Sequence, residues 1–218
     1  MTTGRLLCAL AVASPSLSAQ SLADVCKAVA TAKVGEWASY DATGGSSGGK
    51  LRFAIVGSER AGDSTLYWFE MSFAGTDPTH TGIVQILTSS LSAGAAGTRA
   101  VIFKAGGQPA MKVSGQMAGA MGKGAGRNNS ASDWGARCAA AHVVGWESVT
   151  VPAGTFHALH VRLDDGGEAW ASPDVPFGLV KTRAKEGDLV LTGRGADAKS
   201  SITETPQEMP MLPGLKKP

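Results

Sequence analysis

The chain has 218 residues, with 20 lysines and arginines against 18 aspartates and glutamates, a formal net charge of +2. That balance lacks the basic excess of a nucleic-acid or polyanion binder. Charged residues are 17% of the chain, below the roughly 25% of an average soluble domain, while glycine reaches 29 residues. Such a composition excludes a coiled coil and a multi-span membrane protein, and points to short strands joined by many turns.

The first residues have the pattern of a secretory signal. Arg5 supplies a positive start, residues 6–13 are a short apolar run, and residues 14–19 include small side chains suited to cleavage. The run is too short to span a bilayer, and no later stretch approaches the ~18 apolar residues of a membrane helix. The expectation is a cleaved signal peptide at 1–19, a periplasmic or secreted protein, and no membrane-spanning segment. Val25 before Cys26 does not fit a lipidation motif, which needs a small residue there. Loss of the signal removes Cys8 and leaves Cys26 with Cys138. In an oxidising compartment this pair favours a disulfide, with two separate buried thiols as the alternative. Closing a loop of about 110 residues, the bridge would stabilise by about 4–5 kcal/mol on the chain-entropy account.

In chain order, residues 21–32 are predicted to form a helix, with Ser21 as its cap and Leu22, Val25, Cys26 and Val29 at helical spacing. Strands are predicted at 36–42, 51–56, 65–73, 83–87 and 99–104, with the polar turn TGGSSGG at 43–49. Residues 114–135, rich in Gly, Ala and Ser, bury no steady face and read as a long mobile loop, closed by a short helix at 132–141. Strands at 143–151 and 156–163 flank the turn Pro152-Ala153-Gly154. Further strands at 168–172, 179–184 and 189–194 bring the total to about ten. Residues 205–218 read as a disordered proline-rich tail, leaving one β-rich domain at 20–204. The connections are mostly too short for parallel crossovers. The fold class is therefore mainly β: a curved antiparallel sheet or open half-barrel with one or two short helices. Strands 65–73 and 83–87 are apolar on both faces, so both faces of the sheet are expected to be covered.

Chemical motifs are sparse. His157 and His160 have the spacing of a ligand pair, but residues three apart on a strand point to opposite faces. Residues 44–48 match GxSxG formally, yet sit in a strand–strand turn where a nucleophile elbow needs a strand–helix corner. The GKGAG run at 122–126 lacks the strand and spacing of a phosphate loop. Glu70, inside an aromatic strand, is the acid expected to be shielded, with a basic partner. Met111, Met117 and Met121 would offer thioethers to Cu(I) in an exported protein. No catalytic residue, resident metal or cofactor is assigned.

Three stretches carry a family resemblance: VGEWASY at 34–40, ESVTVPAGTF at 147–156 and WASPDVPFG at 170–178. With these, the chain resembles exported bacterial proteins of unknown function, the DUF3108-like group. Those are in turn similar to periplasmic lipoprotein carriers and lipoprotein-sorting proteins. The resemblance spans about 34–202 and implies a lipoprotein-carrier-like half-barrel whose apolar concave face shelters acyl chains. It carries no catalytic residue. The expected cavity face is Phe53, Ile55, Tyr67, Phe69, Met71, Ile83 and Leu87, with 114–135 as a movable cover. The expected function is non-enzymatic binding of a lipid or a lipidated protein. The alternatives are a structural envelope interaction domain with no small ligand, and a copper-binding protein using the methionine loop.

Overall fold

Short β-branched and aromatic runs broken by glycine turns build a sheet of twelve strands in the computed structural model, which describes residues 22–29, 31–44, 48–77, 79–91, 94–124, 140–185 and 187–209. Helix α1 (Leu22–Val29) precedes β1 (Trp37–Thr43), β2 (Gly49–Ala61), β3 (Ser64–Gly75) and β4 (Thr81–Thr88). A single helical turn, α2 (Gly94–Gly97), leads into β5 (Thr98–Ala105), β6 (Met111–Ser114) and helix α3 (Gly115–Gly124). Then come β7 (His142–Val151), β8 (Gly154–Arg162), β9 (Glu168–Ala171), β10 (Leu179–Ala184), β11 (Gly187–Gly195) and the two-residue β12 (Gln207–Glu208).

The spatial order is β12-β6-β5-β4-β3-β2-β1-β11-β10-β9-β8-β7. Two meanders, β1–β6 and β7–β11, are thus joined side by side where β1 pairs antiparallel with β11. The register runs from Trp37↔Gly195 to Thr43↔Asp188, with a bulge between Ser39 and Tyr40. At this seam Tyr40 is fully buried and its hydroxyl donates to the Leu179 carbonyl at 3.0 Å. Burial pushes that hydroxyl far above its usual pKa. Gly187 is required here, since a Cβ on it would lie 1.9 Å from the Thr43 carbonyl oxygen.

The main core brings Val25 of α1 into one cluster with Tyr40, Ile55, Phe69 and buried apolar residues of β8–β11. The sheet is curved and not closed. Phe177, between β9 and β10, lies 5.9 Å from Phe53 on β2, three strands away, a separation of about 14 Å in a flat sheet.

The opposite face carries a strap. Residues 196–206 leave β11, cross the strands and end by placing β12 parallel to β6. Trp37 Nε1 donates to Asp197 at 2.7 Å, and Lys104 meets Glu204 at 2.6 Å. Ile202 packs with Ile102, Ala110, Trp68 and Ile83. Glu70 is the central anchor, only 1% exposed. Its carboxylate accepts from the Ser201 hydroxyl at 2.7 Å, the Ser201 amide at 2.9 Å and Gln85 Nε2 at 2.7 Å, and Arg52 stands 3.9 Å away. A buried carboxylate left without such donors would cost several kcal/mol, about the scale of a broken buried ion pair.

The mainly β open half-barrel and ten of its strands match the sequence reading; four features differ. Strands β6 and β12 were not expected, because four- and two-residue strands carry almost no periodic signal. The β12–β6 pairing is parallel, reached by the long strap rather than a tight turn. Residues 115–124 of the expected loop form α3, with Met117 buried and its amide bonded to Ser114 Oγ at 3.3 Å. Gly115 serves close packing there, since a Cβ would come 2.2 Å from the Thr98 carbonyl oxygen. The start of the expected tail, 205–209, belongs to the sheet: Gln207 and Met209 donate to Ala110 and Lys112 at 2.8 and 2.9 Å. The signal segment, Ser21, residues 45–47 of the glycine turn, 125–139 and 210–218 lie outside the described residues.

Two strap carboxylates are expected to contribute to acid sensitivity. The Trp37 indole N–H holds Asp197 below the usual carboxylate range, and the Lys104 ammonium does the same for Glu204. Folded values below unfolded ones mean stability present above the ordinary range and lost as pH falls through the depressed values. The urea midpoint is expected to fall as pH drops below about 4. Asp197→Asn with Glu204→Gln should lower the midpoint at pH 6 and flatten that fall; an equally steep fall would assign the acid limb to other carboxylates.

Candidate functional site: an apolar inward face

Strand register decides which side chains share the inward face. Phe53 pairs with Met71, Ile55 with Phe69, Phe69 with Ile86 and Met71 with Val84. The face continues through Ile86↔Val101, Val84↔Phe103, Val101↔Val113 and Phe103↔Met111. Between Leu51 and Met111 these positions on β2–β6 carry no charged residue. Ile55 and Phe69 are buried, whereas Phe53, Tyr67, Met71, Val84, Ile86, Val101, Phe103 and Met111 are only half-buried.

Five expected cavity residues, Phe53, Ile55, Tyr67, Phe69 and Met71, therefore stand together. Ile83 and Leu87 do not, and this corrects their assignment. Ile83 pairs with Ser72 and Lys104, and Leu87 with Trp68 and Ala100, all on the strap side. Leu87 packs with Leu66 and Ala100, and Ile83 with the Ile202 cluster. A one-residue step reverses a strand's faces, so the inward residues of β4 are Val84 and Ile86. The signal was Gln85: it lies between Ile83 and Leu87 on one face and bonds Glu70 there.

The sequence did not single out Phe177. Its ring is 5.9 Å from Phe53 and 5.7 Å from Phe69, which are themselves 5.8 Å apart, so three rings meet at the centre of the inward face. Phe177 is the one described non-glycine residue with positive φ, at 64°, a conformation that costs on the order of 1 kcal/mol or more. Hydrogen bonds from Ser172 to Gly178 at 2.8 Å and from Gly178 to Val175 at 2.8 Å hold its turn. Outside this turn lies a groove of about 520 Å³ between residues 31–36, the Pro173–Phe177 segment and Arg194. Arg194 donates to the Asp174 carbonyl and lies over the Phe156 ring at 4.9 Å. A second depression, of about 430 Å³, opens on the strap side among Ser39, Arg52, Ser72, Ile83 and Lys104.

The two histidines of β8 diverge, as the strand period requires. His157 stacks on Trp146 at 5.0 Å, while His160 stacks on Trp170 at 4.4 Å between Glu147 and Glu168, 3.4 and 3.5 Å away. Met111 is half-buried on β6 and Met117 is buried on α3; the Met121 side chain is outside the described set. Cys26 is half-buried on α1, and Cys138 lies outside the described residues.

No family model matches the chain, and neither does any curated protein. Among solved structures it is similar to a "putative exported protein with YmcC-like fold" from Bacteroides fragilis NCTC 9343, at 10% identity and a TM-score of 0.34, over 75% of this chain and 97% of that one. No described helix is long and apolar enough to cross a membrane.

Phe177 yields a stability test. Phe177→Ala is expected to cost about 3 kcal/mol by emptying the space between Phe53 and Phe69. Alanine ordinarily exceeds glycine by up to ~1 kcal/mol, but glycine adopts positive φ freely. Phe177→Gly should therefore be no less stable than Phe177→Ala in urea unfolding; the ordinary order would mean the backbone relaxes on substitution.

Proposed function

We propose that the chain is an exported, non-enzymatic binding protein that holds an acyl chain, of a lipid or of a lipidated protein, against the inward face of β2–β6. The observation that carries this reading is the continuous, uncharged, half-buried apolar surface running from Phe53 to Met111 in an open sheet. Apolar area of that kind left partly in water is stabilised by an apolar ligand at roughly 25 cal/mol per Å² covered. An uncharged lining suits a hydrocarbon chain and gives an ionic ligand nothing to pair with. Export rests on the signal pattern at 1–19, and the resemblance to lipoprotein carriers favours an acyl ligand. A second reading, an envelope interaction domain with no small ligand, draws support from Phe177, which already fills the centre of the face.

Lipid extracted from the natively purified protein and identified by mass spectrometry, with titration of a fluorescent fatty acid, tests the leading reading. Met71→Lys, on the half-buried face, should weaken fatty-acid binding about tenfold or more, the cost of placing a charge against hydrocarbon. An empty protein that also ignores the fatty acid would leave the interaction-domain reading.

The Cys26–Cys138 bridge belongs to the same proposal, because an even pair of cysteines left after signal removal favours a disulfide in an oxidising compartment. Non-reducing peptide mapping is expected to recover residues 26 and 138 in one linked peptide. Two free thiols after export would remove the bridge.

A further inference from the structure

The two edges of the sheet are treated differently. β12 covers the β6 edge, but no described strand pairs with the outer edge of β7. β7 is ten residues long, HVVGWESVTV, and has neither the lysine nor the proline that commonly guards an edge. Val143 and Val144 on it are 54% and 53% exposed, two of the three large hydrophobic residues most exposed among those described.

A bulge gives this edge an unusual arrangement of faces. Val143 pairs with Val161, but the register then shifts, so that Gly145 pairs with His160 and Trp146 with Leu159. Val143 and Trp146, three apart, consequently share the inward face; in a regular strand they would point oppositely. His142, opposite Arg162, and Glu147, opposite Ala158, share the outer face for the same reason.

That pattern is complementary to itself. We propose that the β7 edge is a docking surface for a second copy of this chain, which adds its own β7 antiparallel about a two-fold axis between Val144 and Gly145. In that register Val143 faces Trp146 of the second copy on the inward side, a β-branched–aromatic cross-strand pair. On the outer side His142, which meets Asp164 at 3.1 Å within its own chain, faces Glu147 of the second copy, which accepts from Trp170 Nε1 and lies 3.4 Å from His160; both side chains are at least half exposed. Each contact occurs twice, as an isologous interface requires. The edge N–H and C=O groups of one strand satisfy those of the other. The two inward faces then lie on one continuous sheet.

Sedimentation velocity of the purified protein over a concentration series tests this directly, with a monomer–dimer equilibrium expected. Val143→Lys and Val144→Lys, each at a position more than half exposed, should leave the circular dichroism and thermal unfolding of the monomer unchanged. Each should raise the dimer dissociation constant about tenfold or more. Val144→Cys, beside the axis, should give a cross-linked dimer under mild oxidation, located by peptide mapping. A monomer at every concentration would overturn the proposal and make the bulge a guard against edge pairing. A dimer unaffected by Val143→Lys, or one that Val144→Cys fails to link, would overturn it equally by placing the interface elsewhere.

Discussion

The pairing of β1 with β11 is the constraint on which the remaining architecture rests. It joins residues about 150 positions apart and makes one sheet of two meanders, each locally connected by short turns. Non-local pairing of this kind is stabilised only after a large loop closes, so side-chain burial must reinforce the backbone ladder. Tyr40 does so, buried at the seam and bonded across it to Leu179. The seam also brings the β9–β10 connection over β2 and β3, which is how Phe177 meets Phe53 and Phe69.

From the same seam the chain departs along the strap, and there the controlling group is Glu70. A carboxylate at the centre of a long strand is tolerable in the interior because Ser201, Gln85 and Arg52 surround it. Covering the outer face in this way buries Ile102, which packs with Ile202 of the strap and would otherwise be apolar surface facing water. The doubly apolar character of β3 and β4 follows from that arrangement: one side is covered by the chain's own C-terminal segment, the other faces inward.

The inward side divides in two. Along β8–β11 it is filled by closely packed residues and by α1, whereas along β2–β6 it remains half-open and uncharged. The proposed ligand surface is the half-open part, with Phe177 at the boundary. The proposed homotypic edge is at the other end, on β7. Both proposed sites depend on the sheet being open, since, unlike a closed barrel, it leaves an accessible inner wall and an edge that no described strand covers.

The amino-acid sequence by itself determined the fold class and ten strands, because period-two apolar patterns and glycine turns are local signals written in adjacent residues. It also separated His157 from His160, since strand geometry alone puts them on opposite faces, and it marked Glu70 as a shielded acid. That five residues share one face was legible for the same reason: Phe53, Ile55, Tyr67, Phe69 and Met71 keep strict alternation through their pairing. Ile83 and Leu87 were not, because Ile83-Val84-Gln85-Ile86-Leu87 is apolar on both sides and only its pairing with β3 selects a face. Tertiary structure alone decided that selection, the reach of Phe177 across the sheet, the strap over Glu70 and the sharing of one face by Val143 and Trp146. Each depends on contacts between residues distant in sequence or on a shift of register, and neither leaves a periodic trace in the chain.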